Sequence, residues 1–110
     1  MKPEREFFDV QGIAATASGH PGVSVQLLAE DPESGLSTSI ERYAPGTDTS
    51  DQGVQRHDFV EEVYLLSGSF VDLTLGETFA AGAYACRPPG MPHGPWRSEE
   101  GVAMFVVRYR

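Results

Sequence analysis

The chain reads as an all-β protein, a small antiparallel β-sandwich or jelly-roll barrel, and three observations carry that reading. Twelve glycines and eight prolines punctuate the 110 residues at short intervals. The segments between them are short and rich in β-branched and aromatic residues, which fit a pleated, half-buried surface. No stretch carries the apolar period of a long amphipathic helix. Short strands with regular turn signals point to a sandwich or barrel.

In chain order, Val23–Ala29 reads as the first strand and Leu36–Tyr43 as the second. Thr47–Gln55 is polar, with Asp, Ser and Gly, and reads as a loop. Val60–Leu66 is the next strand, and Ser69–Leu75 is expected to pair back onto it across a Ser67-Gly68 turn. Thr78–Ala80 and Ala83–Arg87 are shorter candidates. Glu99-Glu100-Gly101 reads as a solvated turn before Val102–Tyr109, the strongest strand signal of all. Neither a repeat nor a linker divides the chain, so residues 1–110 are expected to form one domain.

Charge narrows the function. The formal net charge is −8, from 8 basic and 16 acidic residues. Binding nucleic acid through its phosphates needs a basic face, and acidic lipid surfaces repel such a chain for the same reason, so neither partner is expected. The single cysteine, Cys86, excludes an internal disulfide. No apolar run approaches the ~18 residues of a membrane span. The first residues, Met1-Lys2-Pro3-Glu4-Arg5-Glu6, lead into no apolar signal core. A cytoplasmic location is the expectation.

The chemistry concentrates in two stretches. In Arg87-Pro88-Pro89-Gly90-Met91-Pro92-His93, prolines and a glycine force a tight turn ahead of one imidazole. Upstream, Gln55 and His57 stand two apart, so on an extended segment they point to the same side. By the strand period, Val60, Glu62, Tyr64 and Leu66 share one face, and Glu61, Val63 and Leu65 share the other. Glu62 keeps apolar and aromatic company and is expected to face inward. A buried carboxylate needs a partner, because desolvating it alone costs several kcal/mol. A metal ion is one such partner; an arginine such as Arg42 or Arg87 is another. Each residue also has a plainer reading. His57 fits a loop end, His93 fits a turn, and Gln55 fits a side chain pointing away or onto water. His20, before Pro21-Gly22, reads as a surface turn residue, and Cys86 as a buried, inert thiol in an apolar strand. Tyr64, Trp96 and Phe105 read as core or pocket wall.

The two stretches resemble the paired motifs of the cupin family. The first family motif is G-x5-H-x-H-x(3–4)-E-x6-G, and here it reads Gln55-x-His57-x4-Glu62-x5-Gly68, with the last glycine one place early. The second is G-x5-P-x-G-x2-H-x3-N, and here it reads Gly82-x5-Pro88-x-Gly90-x2-His93-x3-Arg97. The resemblance covers roughly residues 46–97, and the second motif is the more specific half. Three positions depart from the pattern: Gln55 replaces the first histidine, Thr49 the opening glycine and Arg97 the closing asparagine. The stretch from Arg87 to Gly101 is similar to cupins related to anti-sigma-factor sensor domains. It is also similar to small cupin dioxygenases that cleave β-diketones or hydroxyacetophenones.

This resemblance implies a divalent metal, Fe(II), Zn(II), Mn(II) or Ni(II), held by Gln55, His57, Glu62 and His93. Glu62 would be ligand or base, and Tyr64, Trp96 and Phe105 would be pocket walls around a small-molecule substrate. It implies Fe(II)-type dioxygenase chemistry on an enolisable or phenolic substrate. The alternatives are a non-oxidative isomerase or cyclase, whose weight rises with Gln55, and a zinc-binding regulatory or ligand-sensing module. Exposed sheet edges, and the family's habit of packing sheets together, imply a homodimer.

Overall fold

The structure is a computed structural model describing residues 1–110. It contains β1 (Thr16–Ala17), β2 (Val23–Glu30), β3 (Ser37–Tyr43), β4 (Thr47–Asp48), β5 (Val60–Asp72), β6 (Glu77–Ala80), β7 (Tyr84–Arg87), β8 (Trp96–Ser98) and β9 (Val102–Tyr109). Two 3-10 turns, Val10–Gly12 and Ser50–Gln52, are the whole helical content. No helix is long and apolar enough to cross a membrane. Every strand pair is antiparallel. The all-β expectation therefore holds, as a curled antiparallel sheet shaped like a half-barrel.

The curl comes from β5, which belongs to both halves of the sheet. Its first part lies between β9 and β7, in the run β1-β2-β3-β9-β5-β7. Its last part pairs with β6 on one side and with β8, then β4, on the other. The expected hairpin at Ser67-Gly68 is therefore absent: one strand runs from Val60 to Asp72. Ser67 and Gly68 instead pair with Ala103 and Val102, after a register shift following Leu65. Such a bulge inserts a residue, bends the strand and reverses which side chains face inward. Buried positions accordingly change parity, from Glu61, Val63 and Leu65 to Phe70 and Asp72. Gly68 has φ +74°, and a Cβ there would run into the Gly101 carbonyl. The glycine thus marks a close approach of two strands, not a chain reversal.

The core inside the curl comprises Val23, Tyr43, Val63, Leu65, Phe70, Trp96, Val102, Met104 and Val106. Each large apolar side chain removed from water contributes about 1.5–3 kcal/mol before entropy is counted. Trp96 stacks on Phe70 at 4.3 Å between centroids, and Tyr43 meets Phe70 edge-on at 6.0 Å. On the outer face the N-terminal arm lies over β2 and β3. Lys2 Nζ donates to Thr38 Oγ1 at 2.8 Å, Arg5 Nη1 to the Leu28 carbonyl at 3.0 Å, and Gln26 Nε2 to the Val10 and Ile13 carbonyls.

Candidate metal centre

The turn after β7 positions His93. The Met91 amide donates to the Pro88 carbonyl at 3.2 Å, with Pro89 second in the turn and Gly90 third at φ +85°. That is the proline-glycine signature of a type II turn, which needs a residue tolerating positive φ in third place. The Gly90 amide then donates to the His57 carbonyl at 2.7 Å. Two residues before His57 and three after Gly90, Gln55 and His93 form an isolated antiparallel bridge, with N–H···O distances of 2.7 and 3.0 Å. Backbone bonds thus stitch the two sequence stretches together, and the imidazoles converge. His57 Nε2 and His93 Nε2 stand 3.1 Å apart.

The acid beside them is Glu61. Its carboxylate oxygens lie 3.8 Å from each Nε2, and the three side chains form the one candidate cluster of metal ligands. Register explains its place: Glu61 pairs with Arg87 on β7 and Arg108 on β9, so all three point to the concave face. Arg87 Nη1 donates to Glu61 Oε1 at 2.7 Å, and Arg108 Nε donates to Oε2 at 2.9 Å. Glu41 on β3 lies 3.8 Å from Arg108.

The donor set fits a divalent cation. Nitrogens bound to one tetrahedral zinc lie about 3.3 Å apart, given bonds of about 2.0–2.1 Å. His93 Nδ1 is 3.2 Å from the Met91 carbonyl; donation there leaves the Nε2 lone pair facing His57, the arrangement that orients metal-bound histidines. Burial, followed by the positive charge of Arg87, lowers the His93 pKa and keeps the ring in its neutral, ligating form. For Glu61, burial opposes ionisation, but Arg108 and then Arg87 outweigh it and hold the carboxyl below its ordinary range. An ionised carboxylate has about four lone-pair sites, so the two arginine bonds leave acceptor capacity for an ion. Burial pushes the Glu41 carboxyl up, against the pull of Arg108.

The other expected site residues divide. Gln55 lines the same polar cavity as His57, Glu61 and His93, and its Nε2 donates to the Gln52 carbonyl at 2.9 Å. Trp96 is buried and also lines that cavity. Glu62 is not brought to the cluster. It lies on the convex face, where Tyr109 Oη donates to it at 2.6 Å and Tyr84 Oη donates as well. Those phenols, Tyr109 first, lower its pKa. Tyr64 and Phe105 pair across β5 and β9 on that same convex face and line neither cavity at the cluster. Both faces of β5 are apolar, so the period alone points either way. Cys86 pairs with Glu62 and is exposed, not buried. His20 does sit in a turn, with Nε2 2.9 Å from Asp51 Oδ1. The overlooked residues are Glu61 and Arg108. A readable signal existed for Glu61: three residues separate it from His57 and six from Gly68, matching both gaps of the first motif.

Two cavities flank the cluster. The polar one, about 150 Å³, contains the residues above. An apolar one of about 330 Å³ lies alongside.

No curated protein matches the chain in sequence. Among solved structures, an RmlC-like cupin from Shewanella frigidimarina superposes with a TM-score of 0.73 at 21% identity, covering 97% of this chain and 91% of that one. An acetylacetone dioxygenase from Acinetobacter johnsonii gives 0.70 at 19%, covering 94% and 72%. The polyketide cyclase RemF from Streptomyces resistomycificus gives 0.71 at 20%, covering 96% and 79%. At these identities the likeness establishes the fold. The sequence itself matches the ChrR cupin-like domain over residues 4–110. With the curled sheet and both motifs in place, the chain belongs to the ChrR cupin-like family.

Proposed function

We propose that this protein is a divalent-metal-binding cupin acting on a small molecule, with His57, Glu61 and His93 as ligands and Gln55 as a fourth donor. The observation that carries this reading is the convergence of two Nε2 atoms at 3.1 Å beside a buried carboxylate. When bound, a divalent ion supplies Lewis-acid polarisation of substrate oxygens and, as Fe(II), the redox capacity for dioxygen chemistry. The finer reading is an Fe(II)-type dioxygenase for an enolisable or phenolic substrate. The fold shared with an acetylacetone dioxygenase supports it. The chain's own residues hold the site open on its concave face, and Phe59 stacks on the His57 ring at 4.7 Å, limiting its rotation.

The test is elemental analysis of protein purified without a metal-affinity tag, alongside His57→Ala and His93→Ala. About one ion per chain is expected in the wild type, with most of it lost in each variant. Dioxygen uptake with a β-diketone then tests the oxygenase chemistry. Unchanged metal stoichiometry in both variants would refute the ligand assignment.

A second reading is a non-oxidative cyclase or isomerase. It is favoured by the Arg87–Glu61–Arg108 ladder, which already engages both carboxylate oxygens. The fold likeness to a polyketide cyclase agrees with it. There the histidine pair would move protons without an ion, and activity would survive chelation. A third use is the zinc-binding sensor module that the sequence resemblance implies; zinc bound without any turnover would mark it. In each reading we also propose a homodimer, with the exposed aromatic residues of the convex face as its interface.

A further inference from the structure

The two cavities meet at a shared wall made by Val63, Phe70, Arg87, His93 and Trp96. Beyond that wall the larger cavity is walled by apolar side chains, including Val54, Leu65, Phe79, Ala83, Ala85 and Met91. Its volume, about 330 Å³, is that of a pocket for a small organic molecule. Two charged side chains border it. Asp72 is held through Oδ1, which accepts from the Thr74 and Leu75 amides at 2.9 Å each. The other is Arg87.

Arg87 has donors to spare. A guanidinium carries five N–H donors in a planar fork. Its one ion pair is Nη1 with Glu61. No sealed side-chain nitrogen or oxygen of the protein lacks a partner. Arg87 Nε and Nη2, which make no hydrogen bond, therefore keep open surface, and the buried side chain lines both cavities. The guanidinium carbon also stands 5.2 Å from the Trp96 ring, so cation and aromatic wall present themselves together.

We infer that the site takes a flat apolar molecule bearing one anionic oxygen group, with its body in the larger cavity against the Trp96–Phe70 stack and its oxygens on Arg87 beside His93. This deepens the function proposed above and rests on it for where the reacting oxygen lies. Binding itself needs no ion. Charge-assisted, forked hydrogen bonding selects a carboxylate or enolate over its neutral analogue. The apolar chamber selects against small hydrophilic anions, which leave it unfilled.

The test uses the metal-free 110-residue chain and calorimetric titration with 2-naphthoate, 2-naphthamide and acetate. 2-Naphthoate is expected to bind roughly tenfold or more tightly than either control. Ala85→Phe, which fills the larger cavity, should weaken 2-naphthoate by roughly tenfold or more while leaving Zn(II) stoichiometry unchanged. Arg87→Gln should erase the preference for carboxylate over carboxamide. If that variant does not fold, the wild-type comparison of the two ligands still decides. Equal affinity for the carboxamide would overturn the inference, as would undiminished binding to a folded Ala85→Phe variant, or no binding of 2-naphthoate at millimolar concentration. Failure of the metal reading shows separately, as unchanged metal content in the histidine variants.

Discussion

The backbone of Gln55 is bridged to that of His93, so whatever side chain stands at 55 is delivered to the histidine pair. Its amide nitrogen is engaged by the Gln52 carbonyl, which leaves Oε1 as the atom available to a cation. An amide oxygen is a harder and weaker donor than imidazole toward late divalent ions. Gln55→His is therefore expected to tighten Zn(II) by roughly tenfold or more, as read by titrating both metal-free proteins. Zinc bound by the wild type and held no tighter by the variant would remove Gln55 from the ligand set. Glu62 makes a contrasting prediction on the convex face. Hydrogen bonds from Tyr109 and Tyr84 to its charged form put its pKa below the ordinary 4.5. The stabilisation is therefore fully present above pH 4.5 and is lost as pH falls through the lower folded value. Tyr109→Phe removes the first of these bonds, so the Glu62 carboxyl should titrate closer to 4.5 in a carbon-13 NMR titration. An unmoved titration would mean that the phenol does not bond the carboxylate.

Strand β5 carries the geometry of the site, and its bulge is the feature on which that geometry turns. Without the extra residue, the side that buries Glu61, Val63 and Leu65 could not be followed by one that buries Phe70 and Asp72. Gly68→Ala places a Cβ against the Gly101 carbonyl at a positive φ and should destabilise the fold by at least about 1–3 kcal/mol. For a chain of this size that lowers the melting temperature by several degrees or more, measurable by circular dichroism. A variant as stable as the wild type would show that the strands can separate at no cost. The same strand shows what the sequence makes legible. Strand existence follows from composition, and β2, β3, β6, β7 and β9 fall within a residue or so of where turn signals put them. The turn before His93 is equally legible, because proline and glycine act on their own backbone. The inward acid is not, because burial on β5 is decided by its neighbours. Tyr64 and Leu66 make the convex face as apolar as the concave one, so alternation does not separate Glu61 from Glu62. The short strands β4 and β8 are invisible for a related reason: Thr47–Asp48 and Trp96–Ser98 are held by pairing with each other and with β5.

At the scale of the molecule, the convex face is unevenly covered. The N-terminal arm lies over β2 and β3, while β5, β7 and β9 expose Tyr64, Leu66, Tyr84, Phe105 and Tyr109. Tyr64 stands directly between Tyr84 and Phe105 in the register, so these side chains form one contiguous patch. Contiguous exposed apolar surface is the kind that protein–protein interfaces cover. The acid within it, Glu62, is hydrogen-bonded by two tyrosines, which offset part of the cost of covering it. A second copy of the same patch is a natural complement, because a two-fold interface sets one surface against itself. The expectation is a homodimer by light scattering at micromolar concentration, and a monomer for Phe105→Arg, which places opposed cations at the two-fold interface. Metal content should not change in that variant, because Phe105 points away from the concave face that holds His57, Glu61 and His93. Each copy carries −8, so long-range repulsion opposes association, and added salt should strengthen the dimer by screening it. A wild type that is monomeric across the salt range would reject the convex face as an interface, and a dimer that dissociates with salt would mean that ion pairs, not the aromatic patch, hold it together.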